Sequence, residues 1–566
     1  MIPIVSTLRL YEPSSARYDV IAGLVLATML IPQGMAYAEL TGLPAVTGIY
    51  TTIAALIAYS VFGPNRQLVL GPDSSLAPVI AAVILPLAAG DAAASVALAS
   101  ALSILAGLIC IAAGYLRVGV ITELLSKPIR VGYLNGIAVI VLISQLPKAL
   151  GFSVQSDSTI EVLADTLGMI SDGATVGWSL ALAAASVIII VGLRQLSQAI
   201  PGVVLAAGAS IAAVAVFDLT DLGVQVVGDI ATGLPSLTLP GIGVDVLPNL
   251  IGGALIVALV SFADTGSLST TTALKSGTRV DPNSEIKALG AANIVSGLFQ
   301  GFPTSASSSR TAVAMAVGAR TQVTGLVAAA GVILVMVATP FLVTDMPSPT
   351  LAAIVITASM SLFDWPTTYW LYRARTSEFM LLLGAFLGVL LLGILEGIGF
   401  AILLSLLNFV RKALRPHATE LGKVAGVPGY HDLERHPEAA LVPGLLLIRF
   451  DAPLFFANAP TFGRKVQEML SLTGRPIRRV VVVANAITDI DTTGAEILSD
   501  VLDDLTTKGI SFAFAGLKGP IKDRLRTYGL YGRLGDEGFF PNTISAVKSH
   551  TEEQGETDDE PGPVSD

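Results

Sequence analysis

The sequence predicts a polytopic α-helical membrane protein with a small soluble α/β domain towards its C-terminal end. Three observations carry that expectation. Of the 566 residues, 53% are hydrophobic and only 13% charged, and the mean hydropathy is +0.73, far from the balance of a water-soluble globular chain. Up to about Val410 the apolar residues fall into runs near the roughly 20 residues a helix needs to cross a bilayer, and two of these runs are broken by Gly-Pro and hydroxyl-rich stretches. After Arg415 the composition turns polar.

Residues 1–18 read as a cytoplasmic N-terminal segment. They contain Arg9 and Arg17 but no short apolar core leading to a small-residue cleavage site, so the first span is its own insertion signal. The expected spans are 19–38, 45–62, 74–89, 94–115, 127–147, 175–193, 200–217, 247–265, 283–300, 306–318, 323–344, 348–363, 377–392 and 394–412, about fourteen by the length rule. With the N-terminus inside, the even-numbered connections face the cytoplasm. They carry Arg117 and Lys127, Arg194, Lys275 and Arg279, Arg320, and Arg373 and Arg375, whereas the odd-numbered ones, Lys148 apart, are nearly free of Lys and Arg. Arg411, Lys412 and Arg415 then place the remainder of the chain in the cytoplasm, so the expected location is a multi-pass protein of the plasma (inner) membrane.

Two broken stretches answer one another. Leu68-Val69-Leu70-Gly71-Pro72-Asp73-Ser74-Ser75-Leu76-Ala77-Pro78 and Gly301-Phe302-Pro303-Thr304-Ser305-Ala306-Ser307-Ser308-Ser309-Arg310-Thr311 each run from extended-type residues through proline and hydroxyls into a short apolar helix. Pro303 disfavours helix at Phe302, and the free N–H groups where each helix begins attract anions. As third and tenth of fourteen they hold equivalent places in halves of seven, one ending near Gln198 and the other starting near Pro201. Seven is odd, so the halves are inverted. Inverted repeats with discontinuous helices are an alternating-access transporter arrangement, whereas a channel would repeat one pore-lining element around an axis. Small residues that merely let helices pack closely are the structural alternative.

Composition also excludes several classes. Cys110, the sole cysteine, leaves no intramolecular disulfide and no cysteine-cluster metal site. No His/Cys/carboxylate set has metal-ligand spacing, so no metal and no cofactor are expected. A Walker A loop for an ATP-driven pump and a basic stripe for nucleic acid are absent too, and no chemistry on the substrate is expected. The net charge of −10 is partly concentrated in residues 551–566, an acidic tail expected to be disordered.

After a polar linker, 416–436, with His417, His431 and His436 in or beside it, residues 437–550 read as the α/β domain. Strands are expected at 445–450, 454–457, 479–484 and 511–515, and helices at 462–472, 493–508 and 521–528.

Several segments together carry a resemblance: Ile31-Pro32-Gln33-Gly34-Met35-Ala36-Tyr37-Ala38 with Gly42-Leu43-Pro44, Gly71-Pro72-Asp73-Ser74-Ser75, Asn293-Ile294-Val295-Ser296-Gly297 running into Gly301-Phe302-Pro303, and Ser309-Arg310-Thr311-Ala312-Val313. In the soluble part, residues 484–494 with Asp489, Asp491, Thr492 and Thr493 look like a strand-to-helix loop of STAS domains. Over nearly its whole length the chain resembles the SulP family of sulfate permeases and related anion exchangers with a C-terminal STAS domain. The resemblance implies a core of spans 1–4 and 8–11, a gate of spans 5–7 and 12–14, a homodimer, and a regulatory partner or dimer-contact role for the STAS domain. In related soluble domains that loop carries a phosphorylated hydroxyl, for which Thr492 or Thr493 is the counterpart; an ordinary helix N-cap is the simpler reading.

The expected site is a small inorganic anion seated between the starts of half-helices 3 and 10. Backbone N–H groups near Ser74, Ser75, Leu76, Ala77, Ser307 and Ser308, together with the serine hydroxyls, bind it, and Arg310 offsets charge nearby. Gln33 donates to the oxyanion and Tyr37 lines the cavity, as the resemblance suggests; an interhelical bond is the alternative for Gln33. Asp264, an ionisable residue within span 8, is a functional candidate by default. Beside a bound anion it would be repelled, so a carboxylate that must first gain a proton or a cation is a coupling device. A purely structural Asp264–Arg310 pair is the alternative. In sodium-coupled bicarbonate members a hydroxyl one turn after the acid helps hold the cation. Here that position is Leu268, with Ser267 and Ser269 facing elsewhere on an ideal helix, which tilts the reading towards protons. Glu39, Asp73, Glu396, Lys127 and Arg130 read as solvated span ends. Proton-coupled sulfate symport is therefore expected, with sodium-coupled bicarbonate or proton-coupled dicarboxylate transport as rivals. A membrane sensor signalling through the STAS domain is the alternative from a different class, though it would leave the half-helices and Asp264 without a task.

Overall fold

The computed structural model describes residues 3–4, 9, 11–117, 126–154, 158–197, 200–228, 233–338 and 344–554. The Gln198 midpoint, residues 339–343 of the eleventh expected span, and 555–566 of the acidic tail lie outside the described residues. The chain divides into two compact units, Met1–Ser405 and Leu406–Asp566.

Up to Leu414 a helix stands at each of the fourteen expected positions: α1 (Pro13–Leu40), α2 (Ala45–Phe62), α3 (Ala77–Ala88), α4 (Ala92–Tyr115), α5 (Lys127–Leu150), then α7 (Gly177–Leu196), α8 (Gly202–Phe217), α9 (Leu247–Lys275), α10 (Pro282–Leu298), α11 (Ser308–Val317), α12 (Val323–Ala338), α13 (Ser348–Leu362), α15 (Thr376–Leu392) and α16 (Ile394–Leu414). Helix α1 begins at Pro13, within the segment expected to precede the first span. Proline suits a first turn, where its missing N–H would have had no intrahelical acceptor and its fixed φ is already helical. Two helices were not expected. Helix α6 (Thr159–Ser171) is capped by Ser158, whose hydroxyl accepts the Glu161 amide at 3.2 Å. Helix α14 (Trp365–Ala374) is capped by Asp364, which accepts the Thr367 amide at 3.0 Å, and it exposes Trp365, Tyr369 and Trp370.

Small residues set the helix spacing, as membrane helices gain by close van der Waals contact instead of by burial from water. A methyl group at Gly48 would lie 1.9 Å from the Gly34 carbonyl oxygen, and one at Gly290 would lie 2.6 Å from that of Gly107. Helices α1 and α2, and α4 and α10, thus touch backbone to backbone. Helix α1 also packs along α12, whereas α5 packs along α13 and α15, and α7 along α8 and α13.

The two broken stretches meet. Strands β1 (Leu70–Gly71) and β2 (Ser305–Ala306) pair antiparallel with Leu70 opposite Ala306 and Gly71 opposite Ser305. The Ser307 amide donates to the Val69 carbonyl at 3.2 Å, and the Thr311 hydroxyl accepts the Val69 amide at 3.2 Å. This ladder satisfies backbone groups that lipid would leave unpaired, and it fixes the starts of α3 and α11 side by side.

The second unit holds a six-stranded sheet in the order β4-β3-β5-β6-β7-β8, built from β3 (Ala418–Gly422), β4 (His431–Asp432), β5 (Leu445–Phe450), β6 (Arg479–Val483), β7 (Ser511–Ala515) and β8 (Phe539–Phe540). Strands β5 to β8 are parallel, and β3 is antiparallel to both β4 and β5. Alternation along the strands splits the core: Leu446, Ile448, Val480 and Val482 pack on the side of α17 (Ala459–Leu472) and α18 (Thr492–Thr507), and Leu445, Leu447, Val481 and Val483 on the other. Helices α19 (Gly519–Thr527), α20 (Tyr531–Leu534) and α21 (Thr543–Glu553) complete the unit.

Three expectations are corrected here. Residues 416–436, expected as a polar linker, supply β3 and β4, because the alternation of Thr419 and Leu421 is too short to stand out from its polar neighbours. Residues 454–457 form no strand. Leu454 makes an isolated bridge to Ile490, and Asn458 then turns the chain by accepting the Phe455 amide at 3.1 Å and donating to the Pro453 carbonyl at 2.9 Å. Residues 551–553, assigned to the disordered tail, end α21.

Candidate functional site

The turn before α3 and the start of α11 lie in the wall of a cavity of about 830 Å³ in the first unit. Gln33 and Tyr37 of α1 reach it from one side, and Asp73, Ser74 and Ser75 from the β1–α3 turn. Ser307, Ser308 and Ser309 open α11, and Asp264, Ser267 and Leu268 come from α9. The wall continues along α5, α7, α8 and α13 to Lys127, Arg130, Arg194 and Leu362, which lie at one end of those helices, with Asp364 and Pro366 just beyond α13; the opposite ends contribute no wall residues. The cavity therefore runs from a cationic mouth inward to the half-helix starts.

Local chemistry explains the seat. Ser307 precedes α11 in extended conformation and makes no side-chain cap, so the first amides of the helix keep no intrahelical acceptor. Leu76 precedes α3 without a side-chain cap of its own, but Asp73 closes the turn before it, accepting the Ser75 amide through its carboxylate at 3.1 Å and the Ala77 amide through its carbonyl at 3.0 Å. Both dipoles point their positive ends at the cavity. The Ser261 hydroxyl donates to the Thr304 carbonyl at 2.7 Å, and the Ala306 amide donates to the Thr265 hydroxyl at 3.1 Å, so α9 braces the turn that carries these amides.

Seven of the ten expected site residues line the cavity: Gln33, Tyr37, Ser74, Ser75, Ser307, Ser308 and Asp264. Leu76 and Ala77 are fully buried with side chains outside the wall. Arg310 is fully buried and also lies outside it. The guanidinium donates to the Pro72 carbonyl and stands 3.7 Å from the Asp73 carboxylate. In place of an Asp264–Arg310 pair there are two separate contacts, Asp73 with Arg310 and Asp264 with the Ser75 hydroxyl at 2.8 Å. Asp73, read as a solvated span end, is thus part of the site; its place inside a Gly-Pro break was the available signal. Lys127 and Arg130, read the same way, line the cavity, and Glu39 pairs with Lys148 at 3.5 Å. Ser267 faces the cavity after all, whereas Ser269 turns away to donate to Glu285 at 2.7 Å.

A family model described as the sulfate permease family matches residues 17–385, and a STAS domain model matches residues 436–546. A probable sulfate transporter of Mycobacterium tuberculosis is 38% identical over 97% of this chain and 97% of its own. The chain belongs to the sulfate permease family. Another relative in the same comparison is human solute carrier family 26 member 6, 32% identical over 80% of this chain and 62% of its own. Among solved structures, the family fold is matched by murine solute carrier 26 family member A9, titled an anion transporter in the inward-facing state, with a TM-score of 0.88 at 22% identity over 97% and 94% of the two chains. The transmembrane domain of the cyanobacterial bicarbonate transporter BicA gives a TM-score of 0.60 at 23% identity, covering 70% of this chain and 97% of that domain. As a member of the sulfate permease family with this fold, the chain is an integral membrane protein with a STAS domain following its helical bundle.

In the STAS domain, the helix after β6 is capped by Asp491, which accepts the Gly494 and Phe456 amides at 2.7 Å each. The cap expected of Thr492 or Thr493 belongs to their neighbour, and Thr492 is the first helical residue. The absence of a metal-ligand set is also corrected, because β3 and β4 bring ligating atoms of His417, Asp432 and Glu434 within 4.8 Å of one another. Arg449, 3.9 Å from Asp432, opposes a cation there. Burial works against the Asp432 charge, but bonds from His417 at 2.8 Å, from the Thr419 hydroxyl and from the Glu434 amide outweigh it and hold the carboxyl down at about 2.

Proposed function

We propose that the protein is a secondary active transporter of a small inorganic oxyanion, with sulfate the first candidate and a proton as the coupling ion. The observation that carries this reading is the pairing of the two broken stretches, held together by the β1–β2 ladder beside Asp264 at the inner end of the cavity, with the start of α11 free of any side-chain cap. Such a seat binds through fixed dipoles and hydroxyls and needs no full positive charge in contact with the anion, so it suits an anion that must also leave. Lys127, Arg130 and Arg194 at the mouth raise the local concentration of anions. The mycobacterial relative named a probable sulfate transporter supports the choice of substrate.

In this reading the mouth faces the cytoplasm, where the charge pattern of the loops also places the STAS domain, and the cavity represents the inward-open stage of alternating access. Spans 1–4 and 8–11 (α1–α4 and α9–α12) form the core that carries the seat. Spans 5–7 and 12–14 (α5, α7, α8, α13, α15 and α16) form the gate, and two chains associate as a dimer with the STAS domain in a regulatory role. Leu268 in the wall leaves no hydroxyl one turn after Asp264, which favours a proton; Ser267 in the same wall is the observation that favours sodium. Uptake of radiolabelled sulfate, bicarbonate and dicarboxylates by the purified protein in liposomes, with anion, proton and sodium gradients imposed one at a time, tests both the substrate and the ion. Sulfate accumulation driven by an inward proton gradient alone is expected. Accumulation that follows sodium and ignores protons would transfer the reading to the sodium-coupled class.

A further inference from the structure

The Ser75 hydroxyl oxygen lies 2.8 Å from a carboxylate oxygen of Asp73 and 2.8 Å from one of Asp264. A hydroxyl has one hydrogen to donate. Of two contacts at that distance only one is a bond donated by serine; the other is a bond only when the carboxyl itself carries a hydrogen and donates it to the serine oxygen. With both carboxyls ionised, a lone pair would face a carboxylate at hydrogen-bonding distance, and two like charges would stand one hydroxyl apart. The neighbours decide which carboxyl takes the hydrogen. Asp73 also accepts the Ser75 amide at 3.1 Å and has Arg310 at 3.7 Å, so it is the one served as an anion. Asp264 has Ser75 as its hydrogen-bond partner. The other charged and titratable groups around the pair are Tyr37 of α1, Arg130 and Tyr133 of α5, and Lys127, Arg194 and Asp364 at the mouth; the Tyr133 hydroxyl is buried without a hydrogen-bond partner among the described residues.

We propose that Asp73, Ser75 and Asp264 form one proton-binding unit in which Asp264 donates to Ser75, Ser75 donates to Asp73, and Arg310 balances Asp73. The proton enters from the water of the cavity onto a carboxylate oxygen of Asp264, and it leaves by the same oxygen. Losing it forces the serine hydrogen round to Asp264, in the turn that opens α3, so the state of the pair is written into the anion seat itself. Coupling then belongs to two carboxyls and one hydroxyl. This inference rests on the proton-coupled reading, but its test does not depend on transport.

Infrared difference spectra of the full chain in lipid nanodiscs, taken without substrate at neutral pH, report the carbonyl stretch of a protonated carboxylic acid. Each variant is subtracted from the parent, so that buried Glu285, which receives hydroxyls of Tyr59 and Ser269, cancels. The band is expected in the parent and lost in Asp264→Asn. It should also be lost in Asp73→Asn, where Asp264 gains the serine hydrogen for itself and ionises. A band that survives Asp73→Asn at full intensity, or that is missing from the parent, overturns the proposal. If Asp73→Asn does not yield a monodisperse protein, Ser75→Ala decides: removal of the acceptor should shift the band to higher frequency, and an unmoved band overturns the unit. The liposome assay separates the two readings. Proton-driven uptake with a band indifferent to Asp73 refutes the unit and keeps the coupling. A band that behaves as expected supports the unit even where uptake ignores protons.

Discussion

At the scale of single residues, the site is defined by what each polar group is already committed to. Arg310 is spent on Pro72 and Asp73, so in the proposed seat an anion would meet amides and hydroxyls at the start of α11. Replacing Ser308 with tryptophan should fill that seat and abolish sulfate binding by equilibrium dialysis, while size-exclusion behaviour and helical content stay those of the parent; binding that persists would move the seat elsewhere. Asp264→Asn keeps the shape of a carboxyl but fixes its charge at zero. This variant should still exchange labelled for unlabelled sulfate across a liposome membrane yet no longer accumulate it against a gradient, and accumulation driven by protons in the variant would return Asp264 to a structural role. In the STAS domain, the depressed Asp432 carboxyl contributes stability that is fully present above its ordinary value near 4 and is lost as pH falls through about 2. The thermal midpoint of Asp432→Asn should therefore lie below the parent's at pH 6, and the gap should close between about pH 4 and about pH 2.

At the scale of elements, backbone contact between helices carries the packing, and the glycines that permit it are its weak points. Gly290→Ala puts a methyl group 2.6 Å from the Gly107 carbonyl oxygen, which rigid backbone cannot absorb. A loss of about 1–3 kcal/mol is expected for such overpacking, read as a lower unfolding midpoint in detergent, with an unchanged midpoint speaking against the tight α4–α10 contact. The same elements mark how far the sequence could be read. Long apolar runs named their own helices, because length and hydropathy are properties of the run alone. Helices α6 and α14 escaped because one is short and acidic and the other short and aromatic, and their capping residues, Ser158 and Asp364, are single polar residues among many. The two broken stretches could be read as a pair, and they do meet at the cavity, since proline and glycine within apolar runs are local facts. That Arg310 would turn to Asp73, and Asp264 to Ser75, depended on the register of a two-residue ladder. No local pattern encodes it.

At the scale of the whole molecule, the two units answer to different physics: one packs small residues in lipid, the other alternates large apolar residues about a mixed, mostly parallel sheet. If the STAS domain regulates and does not transport, a chain ending at Arg415 should keep measurable sulfate uptake in liposomes, provided it remains monodisperse; complete loss in a well-folded truncation would make the domain part of the machine. The ladder between residues 70–71 and 305–306 also has a consequence in time. A nascent chain that has delivered β1 must make roughly 235 further residues before β2 exists, on the order of 10 to 50 seconds at ribosomal speed. Throughout that interval the backbone polar groups of β1 are without their partner at a depth where lipid offers none. The first half of the bundle is thus born waiting, and the interval before β2 emerges is when a membrane chaperone or a protease has its chance at it.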